Sequence, residues 1–279
     1  MIIDFHVHVL PPRIKEDRSR YVERDRAFAQ IFSDAKAKIA TAEDLINSMD
    51  RDGVDISVIV NYGWSTHELC VETNDYILES ASRYPKRLIG FCAVNSYVDD
   101  ASLLEIQRCV RGGVKGVGEL RPDTQTLDYS GENVIKPFTD LLREYKLITL
   151  THASEPVGHL YHGKGVATPE LLYRFIANFA GLPVVCAHWG GGLPFYTLMP
   201  EVRDALEDVY FDTAVSPFLY RPEIYLQISR LIGADRILFG SDFPVITQGR
   251  ILNEINEAGL PDEAKNEILA ENARRLLGL

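Results

Sequence analysis

A chain of 279 residues with 46% hydrophobic and 25% charged residues has a globular composition, which excludes disordered, collagen-like and fibrous classes. Its 29 Lys plus Arg stand against 40 Asp plus Glu, a net charge of −11 that opposes sequence-independent binding of nucleic acid. No uncharged run approaches the roughly 20 residues of a membrane span, and the four cysteines (Cys70, Cys92, Cys109 and Cys186), none in a CxxC, read as reduced, buried thiols.

The chain starts MIIDFHVHVL, with Asp4, His6 and His8 where a signal peptide carries its apolar core, so a cytoplasmic protein without a leader is expected. Strand patterns follow at Ile2–His6, Asp55–Asn61, Leu88–Val94, Val114–Glu119, Leu147–His152, Pro183–His188, Val209–Thr213 and Arg236–Gly240. Runs such as LITL and VVCA are apolar throughout, as parallel strands covered on both faces require. Helical segments lie between them. Ser65 with Glu68 reads as a capping box ahead of Ile77 and Leu78. Thr168, Pro169 and Glu170 read as an N-cap, a first-turn proline and a first-turn acid, followed by a face of Leu171, Leu172, Phe175, Ile176 and Phe179. Strand-helix alternation repeated eight times without a linker predicts a (β/α)8 TIM barrel occupying residues 1–279 as one domain; a doubly wound open sheet is the alternative.

Of the seven histidines, four fall at predicted strand ends. His6 and His8 are two apart, so they share a face of the first strand, inward if Phe5 and Val7 face the helices. Alone, such a pair is as readily a hydrogen-bonded strand pair as a ligand pair. His152 closes LITLTH, His188 closes VVCAH, and Asp242 follows ILFGS. In a barrel these C-terminal ends converge on one rim, where one divalent cation accepts imidazoles and a carboxylate together. Glu119, ending VKGVGEL, is an acid beside the same rim, and an ion pair with Arg121 is its plainer reading. Arg121 shares its parity and suits a substrate carboxylate. The long connection SEPVGHLYHGKG reads as a substrate loop, with His159 and Tyr161 as contacts. Gly158–Lys164 imitates GxxxxGK, but Gly165 stands where a P-loop needs Ser or Thr, so nucleotide binding is rejected. Trp189, Tyr62 and Trp64 are pocket or packing aromatics.

These residues resemble the amidohydrolase superfamily, and DFHVHVLPP, AHWGGGLP, GSDFP and ENARRLLGL resemble its amidohydrolase-related (amidohydrolase 2) branch, across Ile3 to Leu277. The resemblance implies metal positions at His6, His8, His152, His188 and Asp242, with Glu119 as a further or bridging ligand, and one or two ions. Zn2+ is the expected metal, with Mn2+ the other choice. The branch contains hydrolases of C–O and C–N bonds and non-oxidative decarboxylases. The reading taken forward is hydrolysis of a small polar or anionic substrate. Metal-bound water, its pKa lowered from 15.7 to roughly 7, would attack, with Asp242, His188 and Glu119 as catalytic groups. Decarboxylation of a hydroxybenzoate-like or amino-muconate-like acid is the alternative. A homo-oligomer, as a dimer, is the expected assembly.

Overall fold

The computed structural model describes residues 1–95, 100–125 and 132–279. Eight parallel strands pair in chain order: β1 (Ile3–His8), β2 (Ile56–Val60), β3 (Leu88–Cys92), β4 (Gly116–Leu120), β5 (Ile148–Thr151), β6 (Val184–Cys186), β7 (Val209–Asp212) and β8 (Ile237–Leu238). The ring closes because Phe5 N donates to Phe239 O at 2.7 Å and Asp242 N to His6 O at 2.8 Å. With helices between its strands, this is a (β/α)8 TIM barrel. Short strands buried along nearly their whole length explain why they read as continuous apolar runs.

The barrel interior is filled by Ile3, Phe5, Val58, Val60, Phe91, Ile148, Leu150, Val185 and Leu238. Phe5 therefore points inward, against the expected alternation: its ring meets Phe91 of β3, two strands away, at 5.8 Å edge-on. The cause is a register shift in the β1–β2 pairing between Asp4 and Val7. A bulge of this kind re-aims side chains. It lets Phe5 and His6 both face inward, while Val7 packs outside with Ile59 and Asp4 reaches the helix Gln248–Glu257 through Gln248.

Helix starts follow local chemistry. The expected Thr168–Pro169–Glu170 start is present, with Leu172, Phe175, Ile176 and Phe179 buried. The expected box at Ser65 is not: the helix His67–Arg83 starts after Thr66, and Ser65 instead donates through N and Oγ to Asp25 at 2.9 and 2.8 Å. Asp25 has its own helix to cap, accepting from Ala27 N and Phe28 N. A reciprocal box does form at Thr41 and Asp44. Between β1 and β2 the chain also makes an excursion through helices Pro12–Glu16, Arg18–Arg24 and Arg26–Phe32. Phe28 and Phe32 of that excursion stack at 4.4 Å, and Phe28 stacks on Trp64 at 5.3 Å. This packing sets Ile31 and Phe32 over the strand ends.

Among the described residues, no helix is long and apolar enough to cross a membrane. All four cysteines are buried free thiols.

Candidate metal centre

The C-terminal ends of β1, β4, β5, β6, β7 and β8 bring His6, His8, Glu119, His152, His188, Asp212 and Asp242 together. The partners of each ring fix where its lone pairs point. His8 Nδ1 lies 3.2 Å from Val60 O and His188 Nδ1 lies 3.3 Å from Ala214 O. A carbonyl only accepts, so both Nδ1 atoms carry hydrogen and both Nε2 atoms face inward. His6 Nδ1 is held in the same way by Asp212 Oδ2 at 2.8 Å. The Nε2 atoms of His6 and His8 then meet at 3.1 Å. Two bare lone pairs at that distance repel unless a positive charge lies between them.

Carboxylates close the same space. Asp242 Oδ1 lies 3.2 Å from His8 Nε2 and 3.8 Å from His6 Nε2, and Glu119 Oε2 lies 3.6 and 4.0 Å from the same atoms. Donors about 2.1 Å from a common cation stand roughly 3.0–3.4 Å apart in octahedral or tetrahedral arrays, so this group fits a metal ion. The other oxygen of Glu119 faces a second set: His152 Nδ1 at 2.8 Å and His188 Nε2 at 3.5 Å. His152 Nε2 meets Ser154 Oγ at 3.1 Å, so the ring is held from both sides, by Glu119 at Nδ1 and by Ser154 at Nε2. The metal-capable groups are thus His6, His8 and Glu119 on one side and Glu119, His152 and His188 on the other.

The electrostatics make the same demand. Burial works against charge on His6, but Asp212, then Glu119 and Asp242, outweigh it and raise its pKa to about 10. Burial would raise Glu119, yet His152, His188 and His6 hold it well below the usual carboxylate range. Asp242 is lowered against its burial by His8, His6 and His188. His188 is raised against burial by Glu119 and Asp242. His152 is lowered, by burial first and then by the Arg121 charge, against the pull of Glu119. Two ionised acids in a dry site call for positive charge, which a proton on His6 or a metal cation supplies.

Above the donors opens a cavity of about 520 Å³. Its floor is His8, Glu119, His152, His188 and Asp242, and its walls include Ile31, Phe32, Tyr62, Val215, Phe218 and Val245. Tyr62 stacks on His8 at 4.2 Å and 15°. Burial, with Asp242 and Glu119, raises its phenol well above 10, so it stays protonated.

Of the site residues named from the sequence, His8, Glu119, Arg121, His152, His159, Tyr161, His188 and Asp242 line this cavity, and His6 is buried behind His8. Arg121 is buried in the wall, and its Nη2 donates to Gly163 O at 2.8 Å. Its nearest acid is not Glu119 but Asp123, at 3.6 Å. His159, Tyr161 and His162 line the mouth. Trp64 and Trp189 are packing aromatics: their indole N–H groups donate to Asn61 and Ser216. Lys115 is exposed ahead of β4, far from the metal-capable group. Asp212 is the residue that sequence reading passes over. It accepts His6 Nδ1 through one oxygen, and His188 N (2.8 Å) and Ala214 N (3.0 Å) through the other. The sequence offered little signal, since Asp212 stands one residue before the end of the seventh strand pattern, Val209–Thr213.

Comparison with known proteins addresses the reaction. The profile of the amidohydrolase family matches residues 3–279. The 2-amino-3-carboxymuconate-6-semialdehyde decarboxylase of Dictyostelium discoideum is 22% identical, covering 99% of this chain and 91% of that protein. The gamma-resorcylate decarboxylase of Rhizobium radiobacter is 23% identical over 76% of each. A solved dihydroxybenzoic acid decarboxylase from a Polaromonas species, holding manganese and the inhibitor 2-nitroresorcinol, matches the fold with TM-score 0.72 at 17% identity, over 100% of this chain and 97% of that one. These relatives overturn the hydrolytic expectation. The two sequence relatives are both decarboxylases, so the comparison favours a carboxy-lyase over a hydrolase. The error has a physical source: the donor set named from the sequence serves both reactions, and the substrate, which it does not specify, separates them.

Proposed function

The chain belongs to the amidohydrolase family, and from that premise we propose that it is a metal-dependent, non-oxidative decarboxylase of a small aromatic or unsaturated acid, its whole length one barrel domain. The observation that carries this reading is a floor of ionised acids and imidazoles beneath apolar walls, in a chain whose relatives are decarboxylases. His6, His8, Asp242 and Glu119 would hold the ion, manganese or zinc, with His152 and His188 adjoining through the second oxygen of Glu119. Bound there, the cation supplies a Lewis acid for the substrate's oxygens and for negative charge developing on its carbon skeleton.

The chain's own groups do the rest. Asp242, ionised because its carboxyl is held low, takes a proton from a substrate hydroxyl and returns it to the ring carbon as carbon dioxide leaves. The balance closes: the C–C bond breaks, a C–H bond forms, and no water is consumed. His188, whose Nε2 lies 3.5 Å from Glu119 Oε1, borders the same space and steadies negative charge there. The walls of Ile31, Phe32, Val215 and Phe218 exclude water from the carboxylate, which favours its departure as a neutral molecule. Arg121, His159 and Tyr161 face the substrate from the wall and mouth.

The test is metal-loaded protein offered hydroxybenzoates and amino-muconate-like acids, with lactones and amides alongside, read by carbon dioxide release and by metal content. One ion per chain with carbon dioxide release is expected. Two ions per chain, lactone hydrolysis and no carbon dioxide would overturn the proposal.

A further inference from the structure

Tyr62 offers the cavity a hydroxyl that nothing in the described protein uses. Its ring, two residues past β2, is fixed by three neighbours: it stacks on His8 at 4.2 Å and 15°, meets Phe32 edge-on at 5.2 Å and meets Trp64 at 6.4 Å. These contacts need only a phenyl ring, and Phe28 and Phe32 make the adjoining ones without a hydroxyl. The residue is 8% exposed. Among the described residues its hydroxyl has no hydrogen-bond partner, and it is not sealed in the core. It opens on the cavity that Tyr62 lines, on the side of Asp242 and Glu119, the two acids whose charge acts on the phenol. The other hydroxyl among the lining residues, on Tyr161, already donates to Glu155 at 3.0 Å. Tyr62 thus places a free, rigidly held O–H beside the metal-capable group.

The reaction decides which substrate atom such a donor serves. A phenol, with an ordinary pKa near 10, keeps its proton at neutral pH and donates one hydrogen bond. The reacting carboxylate loses its charge as carbon dioxide forms, so a donor bound to it would favour the starting state over the transition state. An oxygen on the neighbouring carbon behaves in the opposite way. It carries the charge left when Asp242 takes its proton, and it receives the electron pair of the breaking C–C bond. A hydrogen bond to it strengthens as that charge arrives, since bonds to ionised oxygens are roughly twice as strong as neutral ones. We propose that the Tyr62 hydroxyl donates to this oxygen, and that it makes the site selective for acids with a hydroxyl or carbonyl oxygen beside the carboxylate-bearing carbon. No covalent bond is made or broken at Tyr62 in this role. The identity of the oxygen rests on the decarboxylase reading; the free donor in the cavity does not.

Calorimetric titration of the metal-loaded protein with 2-nitrophenolate and with nitrobenzene compares one ring with and without that oxygen. The nitro group is flat like a carboxylate and cannot leave. Tyr62→Phe deletes the unpartnered hydroxyl and keeps a ring on His8, so its melting temperature and metal content should match those of the unmodified protein. Its preference for 2-nitrophenolate over nitrobenzene is expected to be roughly 10–100-fold smaller, the effect of one hydrogen bond to a charged oxygen. With 2-hydroxybenzoate, kcat is expected to fall by a similar factor and KM to change little, as for an interaction made in the transition state. An unchanged preference in folded, metal-loaded Tyr62→Phe overturns the proposal. Loss of the metal from that variant also overturns it, since the hydroxyl would then serve the ion and not the substrate. A preference that depends on Tyr62, with no carbon dioxide from any hydroxybenzoate or unsaturated acid, keeps the hydrogen bond and removes the decarboxylase reading. Carbon dioxide release at the same kcat by both proteins does the reverse.

Discussion

Asp212→Asn isolates the contribution of a residue that touches neither cavity nor substrate. Asp212 is fully buried and shares its two oxygens between different tasks: Oδ2 takes His6 Nδ1 at 2.8 Å, and Oδ1 takes His188 N and Ala214 N at 2.8 and 3.0 Å. An asparagine has one oxygen and must choose. If its oxygen serves His6, its NH2 opposes two backbone N–H groups, and leaving both unsatisfied costs roughly 2–6 kcal/mol at 1–3 kcal/mol each. If its oxygen serves the backbone, its NH2 faces His6 Nδ1 and moves the ring proton to Nε2. That proton then points at His8 Nε2, 3.1 Å away, and occupies the lone pair a metal needs. The second arrangement is the less costly for folding, so the variant should remain folded with a modestly lower melting temperature. Its metal affinity should fall by roughly 10–100-fold, the usual cost of losing the group that orients a ligating histidine. Chelator competition with Mn2+ and Zn2+ measures the affinity, and thermal unfolding by circular dichroism measures the rest. Unchanged metal affinity in a folded Asp212→Asn protein would refute both the His6 tautomer deduced above and its place in the metal-capable group.

Two further outcomes are expected. With its pKa raised to about 10 by Asp212, Glu119 and Asp242 against burial, His6 contributes stability to the metal-free protein that is complete below its ordinary 6.5 and lost as pH rises through about 10. Melting temperatures across that window should therefore decline, and the His6→Asn protein should lack that part of the slope; parallel curves for the two proteins would contradict it. Gly191 has φ +60, and a Cβ there would overlap the backbone carbonyl of Ser154, next to His152. Gly191→Ala should destabilise by more than the roughly 1–2 kcal/mol of left-handed strain alone. Gly158→Ala, with φ +92 but nothing within 4 Å, should show only strain, and equal losses in the two variants on chemical denaturation would reject the overlap argument.

The residues legible in the sequence are those whose chemistry is expensive to hide. His6, His8, His152, His188 and Asp242 end apolar strand runs, where a packed core has no use for them, so position alone singles them out. The register shift between Asp4 and Val7 leaves no such mark: no glycine or proline signals it, and strict alternation would turn Phe5 toward the helices. Asp212 went unread because its role is to hold other residues, and an aspartate at the end of VYFD looks like any polar strand end. Ser65 and Glu68 fit a capping pattern that lost to Asp25, a residue 40 positions away in sequence that only the fold brings near. The reaction class failed to appear for a related reason. The donors on the floor come from strand ends, which a periodic pattern reveals, but the cavity walls come from the connections. Ile31 and Phe32 belong to the excursion after β1, and Val215 and Phe218 to the segment after β7. In the proposed decarboxylation those walls are what would strip a carboxylate of water rather than admit a water to attack. A change of reaction in this barrel therefore needs new connections rather than new ligands.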